Sequence, residues 1–368
     1  MNKRICVFGG ASLYRLPLYN AMAKEFDCDF YITRFSDGRD KNIEAYDYTK
    51  LKNFKGEVLL KHLFWKFNWN TAINRLFSLP YDIYIVGGPW DLSSWWLLFL
   101  SMFSRKVVYS WSHGMYGRES GIRFLIKRLF FKWCKKCIVY NERSRDLMIE
   151  AGVKPDRVFY VHNSLDHDSQ LLFRDNFSDI YNVHFCNNNP TLFFIGRLIE
   201  NKQLDMIITA MSILKGQGMS INFVFIGDGP QKTRLQESTH NLGLQDFVWF
   251  FGACYDEKTK SELITNADLC VTPGSIGLTC IDSMTYGTPV ITKDDLNHQG
   301  PEYAAIKQGE TGLFFAAGDV NDLAEKIKQW LSNGKDRQVI RQACYNEIDS
   351  YWTPQYEIDQ FKILLQNS

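Results

Sequence analysis

Short β-branched or aromatic runs alternate with amphipathic stretches along almost the whole chain. In the first half the runs are "RICVFGG" (4–10), "DFYITRF" (29–35), "YDIYIVGG" (81–88), "KVVYSWSHG" (106–114), "KCIVYNE" (136–142) and "RVFYVHN" (157–163). Stretches of helical periodicity, such as 15–26 and 143–151, separate them. Regular strand–helix alternation predicts a parallel sheet covered on both faces. Over 168–190 the periodicity fails and Asp, Asn and Pro accumulate, which reads as a linker. The alternation restarts with "TLFFIGRL" (191–198), "NFVFIGDGP" (222–230), "FVWFFGAC" (247–254), "DLCVTPG" (268–274) and "TPVITK" (288–293). The expected architecture is α/β, with two doubly wound Rossmann-like domains and ligands held where strand C-termini face each other across a cleft. Residues 1–168 form the first domain, 169–190 the linker and 191–350 the second domain. The stretch 351–368 carries a final helix that can fold back on the first domain.

One amphipathic segment has an unusual polar face. On a helical wheel of "RESGIRFLIKRLFFKWCKK" (118–136), Ile122, Leu125, Ile126, Leu129, Phe130 and Trp133 form one arc, expected to face the core. Opposite lie Phe124 and Phe131 among Arg123, Lys127, Arg128, Lys132 and Lys135. Aromatics within a basic face suit an anionic membrane surface, or else tuck under a neighbouring loop or a second copy. "LKHLFWKFNWN" (60–70) has a similar character. Cations interleaved with aromatics also suit nucleic acid, but no recognition module accompanies them, so a nucleic-acid partner is not expected.

Composition changes the picture little and charge changes it more. A chain of 368 residues with 45% hydrophobic content is comfortable for two globular domains. The net charge of +1 conceals an asymmetry: residues 1–180 hold 27 Lys and Arg against 19 Asp and Glu, the remainder 15 against 22. A basic half implies that the first domain faces something anionic. Nine cysteines at irregular spacing fit reduced thiols. Cys134 and Cys137 have metal-ligand spacing but no second pair, so no metal site is expected. The opening "MNKRICVFGG" reads as a strand rather than a secretory signal, and "WWLLFLSMF" (95–103) is about half a membrane span. The expected location is cytoplasmic, peripheral on the inner face of the cell membrane.

The second half carries the chemistry. Arg197 and Lys202 follow a strand, with Gly196 allowing close backbone approach. Two cations there suit a diphosphate, or are simply solvated surface charges. Gly274, Ser275, Ile276, Gly277 and Leu278 follow another strand and open a helix, a geometry whose free amides favour an anion. Asp282, about two turns into that helix, is placed to accept ribose hydroxyls, or is a helix-surface acid.

Arg197 with Lys202, "GDGP" (227–230), "PGSIGLTCIDSMTYGTPVI" (273–291) and "GPEYAAIKQGETGLFF" (300–315), in this order, resemble the family 4 retaining glycosyltransferases of the GT-B fold. The likeness runs from about Thr191 to Lys328 and extends weakly back through "CIVYNERSRDLMIEAGVKPDRVFYVHNSLD" (137–166). It implies that Arg197 and Lys202 bind the diphosphate of a nucleotide-sugar donor and stabilise the leaving group. It further implies that the amides of Ser275, Ile276, Gly277 and Leu278 hold the distal phosphate and Asp282 the ribose. The base would lie near Phe251 to Cys254. His113, on the loop after a strand, takes the family's place beside the sugar, as general acid/base or hydrogen-bonding group, unless it merely caps the strand. Gly9 and Gly10 resemble the family's glycine turn near donor phosphate and acceptor, although a tight strand–helix turn explains them equally well. Arg118 is a weaker phosphate candidate. The family's donor loop normally has Glu at both ends, and here those positions are Gly274 and Asp282. Sugar recognition should therefore differ, with Glu302 on the following loop as a partial substitute.

The resemblance thus implies retaining transfer of a sugar from a UDP- or GDP-sugar to an acceptor, expected to be lipid-linked, in surface polysaccharide (capsule or O-antigen) assembly. No cofactor beyond the donor is required. The membrane-facing residues would be Arg123, Phe124, Lys127, Arg128, Phe131 and Lys132. The competing readings are another GT-B enzyme, such as a sugar-phosphate synthase or nucleotide-sugar epimerase, and a non-catalytic nucleotide-binding scaffold within a glycosylation complex.

Overall fold

The computed structural model describes residues 3–10, 12–35 and 50–366. It divides into two compact units, Met1–Leu165 with Pro354–Ser368, and Asp166–Thr353. The first unit is built on strands β1 (Ile5–Gly9), β2 (Cys28–Phe35), β3 (Phe54–His62), β4 (Asn68–Asn70), β5 (Ile83–Val86), β6 (Val107–Trp111), β7 (Lys136–Val139) and β8 (Val158–Tyr160). Their order in the sheet is β4-β3-β2-β1-β5-β6-β7-β8. Only the β3–β4 pair is antiparallel. The second unit holds β9 (Thr191–Ile195), β10 (Asn222–Ile226), β11 (Val248–Gly252), β12 (Leu269–Thr272), β13 (Val290–Lys293) and β14 (Gly312–Phe315). They form a parallel sheet ordered β11-β10-β9-β12-β13-β14.

The central strands are apolar because helices cover both of their faces. Ile83–Val86 and Leu269–Thr272 are buried at every position, which is why they read as continuous greasy runs. In each sheet the chain order reverses beside the first strand, at β1/β5 and at β9/β12, and ligands in such sheets bind outside the strand ends at that switch. The C-terminal helix Pro354–Gln366 belongs to the first unit. Its Ile358, Phe361 and Leu364 are buried with Leu18, Met22 and Phe30, and Lys136 Nζ donates to the Leu364 carbonyl at 2.5 Å.

Two expectations are overturned. Residues 169–190 are not a linker but part of the second unit, with helices at His167–Leu171 and Ile180–Phe185. Their polar residues make specific bonds: Asp166 caps the first helix at Ser169 N, and Arg174 pairs with both oxygens of Asp349. The helix Gly121–Trp133 is turned the opposite way from its predicted orientation. Phe130 is buried as expected, but Phe131 is buried and Phe124 packs against the core from the side expected to be polar, whereas Ile122, Leu125, Leu129 and Trp133 are exposed. Lys127 is buried as well, because its ammonium has internal partners: Nζ donates to the Gly114 carbonyl at 2.8 Å and to Glu119 Oε1 at 2.5 Å. Lys127 and Phe131 are therefore not available to a membrane.

Candidate functional site

The second unit gathers the predicted donor residues at the ends of β9 and β12. The loop after β9 carries Gly196 and Arg197, then a single 3₁₀ turn, Glu200–Lys202. Gly227, after β10, has φ +155°, and any Cβ there would lie 1.9 Å from the Gly196 carbonyl oxygen, so glycine is required for the two strand ends to touch. The 3₁₀ turn lies directly on the segment after β12. Gly274 N donates to the Lys202 carbonyl at 2.9 Å, and Lys202 Nζ donates to the Ser275 carbonyl at 2.5 Å. A Cβ on Gly274 would stand 2.2 Å from the Asn201 carbonyl oxygen and 2.5 Å from Lys202 Cα. The missing glutamate of the donor loop thus has a steric reason, since the lysine loop occupies the space a side chain would need.

The turn is held from behind by the segment after β13. Ile276 N donates to Gln299 Oε1 at 2.7 Å, while Gly300 N donates to the Ile276 carbonyl at 2.9 Å. The Ile276 amide is therefore engaged within the protein, against the expectation that it faces a phosphate. Among the described residues, the amides of Ser275, Gly277 and Leu278 have no acceptor. Thr279 Oγ1 donates to the Ile195 carbonyl at 3.0 Å and so fastens the short helix Thr279–Thr285 to the end of β9.

Three charged side chains shape this end of the unit. Arg197 is exposed, with no side-chain hydrogen bond or ion pair among the described residues. Burial pushes the Lys202 ammonium below its usual value, partly opposed by the carboxylate of Glu302. Glu302 is itself buried, its carboxylate lying where a Cβ on Gly300 would meet Oε2 at 2.7 Å and one on Gly277 at 3.9 Å. This places a buried carboxylate against the turn, entering from the segment after β13.

Asp282 is no simple helix-surface acid. Its Oδ1 accepts from Gln170 Nε2 at 2.8 Å and from Lys260 Nζ at 3.0 Å. Lys260 also pairs with Glu257 at 3.0 Å, and Glu257 accepts the hydroxyl of Tyr286. Burial raises the Asp282 carboxyl above its usual range, and Lys260 opposes that shift. One oxygen is thus committed to a cation and an amide. Sequence reasoning missed Lys260 and Gln170, because nothing local ties either to Asp282. Cys254 sits ahead of this network, half-buried, its thiol raised first by burial and then by Asp256.

Gly9, Gly10 and His113 belong to the first unit. Gly10 opens a cavity of about 360 Å³ at the C-terminal strand ends, walled by Tyr14, Trp90, Trp111 and Tyr140 and floored by Arg15 and Asn68. Gly9 lies under the Tyr19 ring, where a Cβ would meet the ring at 2.9 Å or less. Arg15 is buried among three rings, its guanidinium 4.9 Å from the centroid of Trp111 and 5.1 Å from those of Tyr14 and Tyr140, and it donates to the Tyr140 hydroxyl. Three buried polar atoms of the cavity residues lack partners among the described residues: Arg15 Nη1, Trp111 Nε1 and Asn68 Oδ1. Aromatic walls with a few unpaired hydrogen-bonding groups are the chemistry of a polar-ligand pocket.

His113 stands at the end of β6 with one side open to solvent and the other against Tyr116 and Tyr140, whose ring centroids lie 5.8 and 5.0 Å away. The surrounding protein, and then the charges of Arg15 and Lys127, push its pKa down to about 4, so it is neutral at pH 7. The Lys127–Glu119 pair clamps this loop, with Glu119 also accepting the amides of Tyr116 and Gly117. Arg118 lies over the Tyr116 ring at 4.9 Å.

Among the described residues no cluster of His, Cys, Asp or Glu suits a metal, and no helix is long and apolar enough to cross a membrane. Residues 8–169 match the profile of Glycosyltransferase Family 4, and residues 179–347 that of Glycosyl transferases group 1. The chain is 30% identical over 148 residues to the "Putative glycosyltransferase EpsD" of Bacillus subtilis, covering 39% of this chain and 37% of that one. It is 26% identical over 167 residues to the "Sulfoquinovosyl transferase SQD2" of Arabidopsis thaliana, covering 44% and 30%. The chain thus spans less than half the length of these relatives. In structure it is similar to Anabaena Alr3699/HepE, solved in complex with UDP, with TM-score 0.73, 16% identity and full coverage of both chains.

Proposed function

Because this chain belongs to the family 4 glycosyltransferases of the GT-B fold, we propose that it moves a sugar, with retention, from a nucleotide diphosphate sugar to a lipid-linked glycan in surface-polysaccharide assembly. The observation that carries this reading is the end of the β9–β12 switch. There Lys202 contacts the turn that carries the free amides of Ser275, Gly277 and Leu278, and Arg197 stands exposed on the same loop as Lys202. Asp282, paired with Lys260, lies on the helix that the turn opens. An anion accepting those amides meets two cations, and a ribose meets Asp282 Oδ2. The donor is read as a UDP- or GDP-sugar, the base being what the nucleotide panel below decides.

In the proposed reaction an acceptor hydroxyl attacks the anomeric carbon as the bond to the diphosphate oxygen breaks. The electron pair leaves with the diphosphate, and the hydroxyl proton passes to a phosphate oxygen on the same face. Arg197 and Lys202 stabilise the charge that develops there. His113, neutral at pH 7, offers a hydrogen bond to the sugar rather than a proton. The aromatic-walled cavity around Arg15 takes the acceptor, and the protein works peripherally at the cytoplasmic face of the membrane.

The test is thermal melting with UDP, GDP, dTDP, ADP and CMP, repeated on Arg197→Ala and Asp282→Ala. A ligand at about a hundred times its Kd adds about 2.7 kcal/mol. One nucleotide should raise the wild-type melting point, and both variants should lose most of that rise. No shift with any nucleotide would overturn the assignment.

A further inference from the structure

We propose that one apolar, cation-rich face of the first unit is a docking surface for an anionic lipid bilayer, an inference that rests on the lipid-linked acceptor proposed above. The inverted helix Gly121–Trp133 supplies its centre. Ile122, Leu125, Leu129 and Trp133 make one stripe at helical spacing, with Ile122 62% and Leu129 61% exposed. On one flank the Trp133 ring lies 6.1 Å from Trp95 of the helix Leu92–Ser101. That helix and the turn after it end in exposed Phe99, Met102 and Phe103, the last 74% open, with rings 99 and 103 5.3 Å apart. On the other flank the Arg123 guanidinium lies 5.7 Å over the ring of Trp65, at the exposed tip between β3 and β4 beside Phe64. Three separate stretches thus contribute to one face. Monomeric surfaces rarely leave so many large apolar side chains together unless something binds there. In the second unit exposed apolar residues such as Val183, Leu242 and Val339 are scattered along the chain.

Charge identifies the occupant. Lys66, Arg105, Arg118, Arg123, Lys132 and Lys135 are exposed within these same stretches. Across 59–70, 92–105 and 118–135 the one acid is Glu119, and it is turned inward to Lys127. A second copy of the chain would set these cations against themselves, whereas an anionic bilayer offers an apolar interior under a negative surface. Tryptophans at the margin suit the headgroup layer.

The experiment is flotation of the full chain with vesicles of phosphatidylcholine alone or mixed with phosphatidylglycerol. Leu129→Asp and Phe103→Asp are compared with Val183→Asp as a control that is at least as exposed. The wild type and the control should float with the mixed vesicles in a salt-sensitive way, and each first-unit variant should bind at least about tenfold more weakly. Equal flotation of all variants, or none by the wild type, overturns the proposal. So does a solution dimer that Leu129→Asp dissociates, since a second copy would then cover the face. The nucleotide melts run on the same samples keep the two readings apart. Variants that fail to float yet keep the nucleotide shift support the surface, and flotation without any nucleotide shift removes the transferase reading while the surface stands.

Discussion

Restoring the glutamate that the donor loop lacks should harm this protein. Gly274→Glu, and already Gly274→Ala, places a Cβ 2.2 Å from the Asn201 carbonyl oxygen and 2.5 Å from Lys202 Cα. Those neighbours are backbone, so the clash cannot be relieved by rotating a side chain. Either the turn Glu200–Lys202 lifts off or β12 bends at its end. The first response breaks the bond from Gly274 N to the Lys202 carbonyl and removes Lys202 Nζ from Ser275. Overpacking of this kind costs about 1–3 kcal/mol. In a unit of this size each kcal/mol lowers Tm by about 2–4 °C, so the expected drop is roughly 2–12 °C. The companion variant is Gly277→Ala, whose Cβ would have only Glu302 Oε2 within reach, at 3.9 Å, and it should melt close to wild type. Differential scanning calorimetry with and without UDP reads both effects. Gly274→Ala should lose melting temperature and most of the nucleotide shift together, because the same loop carries Lys202. A Gly274→Ala protein with wild-type Tm and an undiminished nucleotide shift would refute the reasoning, since the loop would then not be in contact with residue 274.

Two further predictions concern pH. Glu357, fully buried on the C-terminal helix with Ser164 Oγ on one oxygen at 2.6 Å, is raised by burial to about 7, with Arg15 opposing. The folded state therefore holds its proton where the unfolded chain has lost it, and stability should fall by about 3 kcal/mol as pH rises from about 4.5 to 7. Urea unfolding across that range should show this slope in the wild type and lose it in Glu357→Gln, and an unchanged slope would contradict it. His113, depressed to about 4, should leave no limb near pH 6.5 in the pH dependence of kcat/KM. His113→Asn should keep more activity than His113→Ala, because a hydrogen bond rather than a proton is what the neutral ring offers, and an NMR titration midpoint near 6.5 would overturn this.

Much of the fold was legible in the chain because central parallel strands are buried on both faces and must be apolar throughout. Among the described residues, eleven of the fourteen strands coincide with runs picked out by pattern alone. The three that escaped are β3, β4 and β14. In β3 exposed positions such as Lys55, Glu57 and Lys61 interrupt the apolar run, and β4 and β14 are short edge or near-edge pieces. The turn between β12 and the helix Thr279–Thr285 was also visible, since its glycines and its single acid lie in one short stretch.

Orientation and partnership were not visible, because they depend on residues far apart in the chain. The helix Gly121–Trp133 has aromatic and aliphatic residues on both sides, so periodicity alone favoured the more continuous stripe as the core. The buried pair Lys127–Glu119 and the packing of Phe124 and Phe131 against the core decided otherwise. Residues 169–190 read as a linker because polar caps resemble loop composition, yet Arg174 and Asp349 bind them to the second unit. Asp282 acquires Gln170 and Lys260 from 112 and 22 residues away. Composition and spacing determined the two α/β sheets and where their strand ends would gather function. Which face of a helix is buried, which amide is free and which carboxylate is paired were decided by tertiary packing, since burial and charge act through distance in space rather than along the chain.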